Sequence, residues 1–247
     1  MRDKILLISG CSHAAGSEID GSEDSVYNRQ RSFGNIFAEK LGYRPINIAA
    51  GASNNQCIAR TILEWCEEFY NPEQIDLKVL IAWTESTRLD VPMDRTVWYE
   101  HWNTSSDYVS KVSRDYIKVN LGYKGLDLEE QQVIKNYHEF IIQNPIFIEI
   151  LSANIVLQMQ YFLKLQSIDY IMCNTMHMFS EFKHLDFYLR QIDETKYLNY
   201  KNNDQCFYFK YKNLGYDNPL AKFWHHGETA HQLFANELIQ FYNDNHA

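Results

Sequence analysis

No run of apolar residues in this chain approaches the ~20 that a membrane-spanning helix requires; the longest, such as Ile5–Ile8 and Val79–Trp83, hold only a few. The first residues also lack the apolar stretch of a signal peptide, so the expectation is a soluble, cytoplasmic protein with no membrane partner. Positive charge is scarce as well. The formal net charge is −9, which leaves no overall electrostatic footprint for nucleic acid or an anionic surface. Glycine and proline number 10 and 5, too few for a collagen-like or low-complexity chain. Cysteine is limited to Cys11, Cys57, Cys66, Cys173 and Cys206, without a CxxC pair. Neither a disulfide framework nor a zinc site follows from that spacing, whereas small buried thiols do. What remains is 45% hydrophobic residues over 247 positions, enough for one large domain with its own core. The distinctive surplus is aromatic, at 15%, with 17 Tyr and 14 Phe.

The N-terminal third alternates strand and helix signals, which predicts βαβ units and a parallel sheet. Lys4–Ser9 is a short apolar run ending in Gly10 and reads as a buried central strand. Phe33, Ile36, Phe37, Ala38 and Leu41 recur at three and four before Gly42, predicting one helix over Tyr27–Leu41. Pro45–Ala50 reads as the second strand, followed by a helix from Ile58 to Phe69 with Ser53 as its N-cap, and Leu77–Trp83 as the third. Residues 90–127, with Trp98, Tyr99, His101, Trp102, Tyr108, Tyr116 and Tyr123, show no dominant period and read as an ordered insertion. Leu128–Gln143 and Ile146–Leu165 carry helical spacing on either side of Pro145, as two helices or one kinked helix. Ile168–Asn174 is the fourth strand, Ser180–Gln191 a helix, 195–220 a loop-like excursion, and Glu228–Tyr242 an amphipathic closing helix.

Ligands of open parallel sheets bind outside the carboxyl ends of the strands. Four segments there are unusual: Gly10-Cys11-Ser12-His13, Gly51-Ala52-Ser53-Asn54, Trp83-Thr84-Glu85-Ser86-Thr87-Arg88, and Trp224-His225-His226-Gly227-Glu228-Thr229-Ala230-His231. A Ser early and a His late, with backbone donors between, fit a serine-hydrolase constellation. A glycine-flanked Ser after a strand also fits a plain capping turn residue. His225 and His226 are adjacent and point in different directions, so at most one faces Ser12. The H-H-x4-H spacing lacks accompanying carboxylate or thiolate ligands, so no metal is expected.

In this order the segments resemble the SGNH/GDSL hydrolase superfamily, in particular divergent members encoded by tailed bacteriophages. The resemblance covers about ninety N-terminal and thirty C-terminal residues and implies a three-layer α/β/α sandwich with a mostly parallel, flavodoxin-like sheet. It implies Ser12 as nucleophile, with Cys11 in place of the usual Asp beside it, and Gly51 as the second block's oxyanion glycine. Thr84 stands where the third block carries Asn, and His225 takes the position of the base. The oxyanion donors would be the N–H groups of Ser12 and Gly51 with the Thr84 hydroxyl. Lys222 occupies the place of the Asp that orients the base; Asp217, Glu228 or Glu85 would have to substitute, or a Ser–His dyad suffice. His13, Asn54, Glu85, Arg88, His226 and His231 are the further substrate-contacting or orienting candidates. The implied activity is hydrolysis of ester or acetyl bonds on a glycan, lipid or small molecule, without a cofactor, in the host cytoplasm if the protein is viral. The departures leave a second reading, a weak or inactive fold serving as a binding or virion-associated protein, alone or as a homo-oligomer.

Overall fold

The computed structural model describes residues 2–92, 116–119, 131–132, 135–136, 139–140, 143–179 and 185–246. In chain order the described strands are β1 (Asp3–Gly10), β2 (Arg44–Asn47), β3 (Ile75–Trp83), β4 (Leu89–Pro92), β5 (Tyr116–Val119), β6 (Asp169–Asn174) and β7 (Tyr197–Leu198). The described α-helices are α1 (Ser12–Ala15), α2 (Val26–Gln30), α3 (Phe33–Leu41), α4 (Asn55–Phe69), α5 (Pro145–Leu165), α6 (Asp186–Leu189), α7 (Phe207–Asn213) and α8 (Glu228–His246). Five strands form one sheet in the order β2-β1-β3-β6-β7, and every neighbouring pair in it is parallel. β4 and β5 form a separate antiparallel pair.

Strand side chains alternate between faces, and the two faces of the sheet have separate cores. Ile5, Leu7, Val79, Ile81 and Met172 pack with Ile58 and Ile62 of α4 and Val156, Met159 and Leu163 of α5. Leu6, Ile8, Leu80, Ile171 and Cys173 pack on the other side with Phe33 and Phe37 of α3 and Phe234 and Leu238 of α8. The result is the expected α/β/α sandwich. Of the described helices, α5 alone is long and apolar enough to cross a bilayer by length and composition, and it contributes Ile148, Ala153 and Leu163 to the first core.

Several local expectations need correction. The stretch read as one helix over Tyr27–Leu41 is two, because Ser25 and Ser32 each cap a new start by accepting from Asn28 N and Asn35 N. β2 ends at Asn47, short of Ala50. Asn54 caps α4, its Oδ1 accepting from Cys57 N at 2.8 Å, in place of Ser53. Around Pro145 the first of the two alternatives holds: Asn144 is non-helical and Pro145 opens α5 as a new helix, where a missing N–H costs nothing. The excursion at 195–220 contains the edge strand β7 and helix α7, whose Phe207 and Tyr211 are buried in the second core. Between 90 and 127, only the end of β4 and β5 lie among the described residues; of Ser180–Gln191, residues 180–184 lie outside them.

The chain runs from β1 outward to β2 and returns to β3 on the other side of β1. That order places a switch point between β1 and β3, where ligand crevices of such sheets open.

Candidate active site

Gly10 ends β1, and a Cβ there would lie 2.5 Å from Ala14 Cβ and 2.9 Å from the Ala82 carbonyl oxygen. Only glycine lets the chain fold so tightly back against β3. The single turn α1 follows with Ser12 at its start, Cys11 as extended N-cap and Gly16 as left-handed C-cap, φ 77°. Ala50 N donates to Gly10 O, and Ala82 of β3 pairs with Gly10. Ser12, Gly51 and Thr84 therefore stand at the same carboxyl edge of the sheet. Cys11 is fully buried. The Thr175 hydroxyl beside it spends its proton on Trp83 O at 2.8 Å, so the Cys11 thiol is the donor in their 3.2 Å contact. This thiol is a packing group.

The turn then reaches Glu18, a residue at φ 63° with no exposed surface. Its carboxylate accepts from Lys222 N and Phe223 N, each at 2.9 Å, and meets His225 Nδ1 at 2.6 Å. The Glu18 carbonyl adds a bond from Asn218 Nδ2 at 2.7 Å. Two segments some two hundred residues apart are thus joined through one side chain. Burial pushes the Glu18 carboxyl up, but the His225 contact and the two N–H donors outweigh it and hold the group below its ordinary value. A carboxylate at Nδ1 makes that nitrogen the donor and leaves Nε2 as the free acceptor of the neutral ring. Burial draws His225 below its usual range, opposed by the bond and charge of Glu18 and assisted by the charge of Arg88.

The carboxylate that meets His225 lies in the turn that follows Ser12. Of the three carboxylates expected to serve, Glu85 pairs with Arg88 at 2.6 Å and Glu228 with Arg31 at 3.3 Å. Asp217 meets His226 through a backbone bridge. None is the partner of His225. The only sequence signal for Glu18 was an acid directly after Gly16-Ser17 in the first block, and nothing in the local pattern marks it as buried.

The imidazole of His225 packs on that of His13, with ring centroids 4.9 Å apart, and His13 directly follows Ser12. Burial holds His13 neutral, well below the usual range, with the charges of His225, His226 and Arg88 adding to it. Its Nδ1 has no hydrogen-bond partner among the described residues. Arg88, paired with Glu85 at 2.6 Å, contributes a charge that opposes protonation of both rings. Ser12 is partly exposed and Gly51 likewise. Thr84 is fully buried: its N–H donates to Asn55 Oδ1 at 3.0 Å, its carbonyl accepts from Asn55 Nδ2 at 3.1 Å, and its hydroxyl has no partner among the described residues.

Other candidates are engaged in structural work. Both ring nitrogens of His226 face main-chain oxygens, of Tyr216 at 2.9 Å and Tyr208 at 2.8 Å. His231 accepts from Phe33 N at 3.2 Å and stacks on the Phe33 ring; burial pushes it down to about 3, so it stays neutral. Asn54 spends its side-chain oxygen on the α4 cap. No group of three or more His, Cys, Asp or Glu is arranged to hold a metal among the described residues.

No protein-family model and no curated protein matches the chain. Solved structures similar to it include the psychrotrophic esterase EstA from Pseudoalteromonas sp., at 11% identity and TM-score 0.41 over 98% of both chains. An acetyl xylan esterase from Butyrivibrio proteoclasticus is 11% identical with TM-score 0.46, over 99% of this chain and 64% of that one. A member of the lipolytic G-D-S-L family from Veillonella parvula is 11% identical with TM-score 0.41, over 97% of each.

Proposed function

We propose that the chain is a serine hydrolase of SGNH type that cleaves ester or acetyl bonds, with Ser12 as nucleophile, His225 as base and Glu18 as the acid that orients it. The observation carrying this reading is the His225–Glu18 contact of 2.6 Å, with the same imidazole packed on His13 next to Ser12. Glu18 fixes the tautomer, so Nε2 accepts the Ser12 proton as Oγ adds to the substrate carbonyl. The resulting oxyanion takes hydrogen bonds from Ser12 N–H and Gly51 N–H, and the Thr84 hydroxyl, buried behind them, would join only if the turn after β3 opens. Collapse breaks the ester C–O bond, and His225 passes its proton to the leaving alkoxide. Water, deprotonated by His225, then attacks the acyl carbon, and Ser12 departs with its proton restored. Such a cycle requires no cofactor.

Turnover of p-nitrophenyl acetate tests the reading. The wild type is expected to hydrolyse it and to form a Ser12 adduct with a fluorophosphonate probe, and Ser12→Ala to lose both, with a fall in kcat of at least ~1,000-fold. A wild type that neither turns over nor labels would overturn the assignment.

One observation favours the second reading, a binding or virion-associated protein built on the same fold. Thr84 replaces the oxyanion amide that the resemblance implies, and its hydroxyl is fully buried. Loss of one such donor costs about 2.7–4 kcal/mol in the transition state. Absence of both turnover and labelling in the same assay is the result this reading expects.

A further inference from the structure

Glu18 is held from two sides by different parts of the chain. Its carboxylate belongs with the C-terminal segment, since Lys222 N, Phe223 N and His225 Nδ1 are its partners. Its main chain is held from the opposite side. Glu18 N donates to Ser22 O at 2.8 Å and Gly21 N to Glu18 O at 3.0 Å, which closes a tight turn from Glu18 to Ser22. Asn28 of α2 stands against that turn with no exposed surface. Its Oδ1 accepts from Asp20 N at 3.0 Å, and its Nδ2 donates to Ser22 O at 2.9 Å and to Ser22 Oγ at 3.3 Å. A main-chain N–H facing one end of the amide and a carbonyl facing the other fix which end is which. The Ser22 carbonyl thus takes Glu18 N–H and Asn28 Nδ2 together. On its other flank Asn28 meets the Ser12 turn: a Cβ on Gly16, the C-cap of α1, would lie 2.5 Å from the Asn28 carbonyl oxygen.

We infer that Asn28 is a positioning residue, which fixes the Glu18 turn against the Ser12 turn and thereby sets the Glu18 carboxylate, and with it His225, in place relative to Ser12. The inference rests on the hydrolase reading and adds to it a residue that acts through Glu18. Lys222 and Phe223 cannot serve this purpose. They lie in the same short segment as His225, so they fix the acid to the base and neither of the two to the nucleophile. Asn28 supplies that link, because its amide grips the turn at Asp20 and Ser22 while its carbonyl packs on Gly16. Glu18 stands at φ 63°, a backbone that a non-glycine residue keeps only where its surroundings over-determine it. The acceptor for its N–H is the carbonyl that Asn28 holds. Misplacement by about 1 Å in such an arrangement can cost about 100-fold in rate.

Asn28→Ala removes the amide, and the isosteric Asn28→Asp keeps the acceptor for Asp20 N while losing the donor to Ser22 O, so either variant, once folded, decides the matter. The readouts are kcat and KM for p-nitrophenyl acetate, taken well below each variant's Tm, and the downfield proton resonance of His225 Nδ1–H, identified by its loss in His225→Asn. In each folded variant kcat should fall about tenfold with KM unchanged, and the resonance should move upfield or broaden away. Added to Glu18→Gln, Asn28→Ala should cause almost no further loss of kcat, because the two residues act as a unit. A resonance that stays in place in a folded variant overturns the inference. So does a further loss of about tenfold on the Gln background, which would mean that Asn28 supports the fold in general. With a wild type that is active and labelled at Ser12 by the fluorophosphonate, an unmoved resonance overturns the positioning role alone. An unlabelled, inactive wild type overturns the hydrolase reading, and the resonance then decides by itself whether Asn28 places Glu18.

Discussion

Glu18 illustrates how much one carboxylate can be made to hold. Its two oxygens satisfy two main-chain N–H groups and an imidazole, and its side chain is withdrawn from water. Glu18→Gln keeps the shape and removes the charge. A kcat loss of ~100-fold or more is expected, since the ring loses the partner that fixes its tautomer. The pH profile should respond in a definite direction. Glu18 raises the His225 value against burial, so the Gln variant should move the acid limb of kcat/KM to lower pH, beyond a wild-type limb already below the ordinary histidine range. A limb that stays in place or moves up would contradict this coupling. Ser12 and His225 are nominated by the short motifs around them that carry the resemblance, and their roles belong to the function proposed above. Glu18 is not so nominated, since its partners lie at separations of 204 to 207 residues and no local pattern records such contacts.

Among the elements, the clearest sequence signal came from β1, whose uninterrupted apolar run is what a strand covered on both faces requires. β3 and β6 were legible for the same reason. Where elements are short the signal failed. β7 has two residues and α7 seven, too few to display a period, and the Lys, Asn and Tyr around them resemble a loop. Their place is fixed by tertiary contacts, with β7 paired to β6 and Phe207 buried beneath His13 and His226. The turn from β1 into α1 is where an element boundary constrains the site most directly. Gly10→Ala would press a methyl group against Ala14 and the Ala82 carbonyl. Overpacking of this kind costs about 1–3 kcal/mol, and a matching fall in the urea midpoint at unchanged m-value is the expected result. A variant of wild-type stability would show that the turn relaxes at no cost.

For the molecule as a whole, the parallel sheet and its switch point bring a cluster of histidines together at the carboxyl edge. Burial holds His13, His225 and His231 below the ordinary value of 6.5, His231 to about 3. The unfolded chain takes up protons at these positions that the native state refuses, so stability must fall as pH drops below about 6.5. Each fully coupled histidine contributes up to ~1.4 kcal/mol per pH unit to that slope. The depressed Glu18 carboxyl adds a further loss in the acid range, because its stabilising bonds require the ionised form. Urea midpoints should therefore decline between pH 7 and pH 5, and His231→Phe should flatten the decline while lowering the midpoint at pH 7. A pH-independent midpoint over that interval would contradict the burial of neutral rings.

The long sequence separation of the bonds from Glu18 to Lys222, Phe223 and His225 carries an expectation for the order of events during folding. Loop closure over two hundred residues is entropically later than the local pairing of β1 with its neighbours. The sheet's first three strands can therefore associate before His225 meets Glu18. Hydrolytic competence, on the reading above, would arrive as the final step, after the bulk of the secondary structure has formed. Nascent or partly folded chains would carry the nucleophile with no means of activating it.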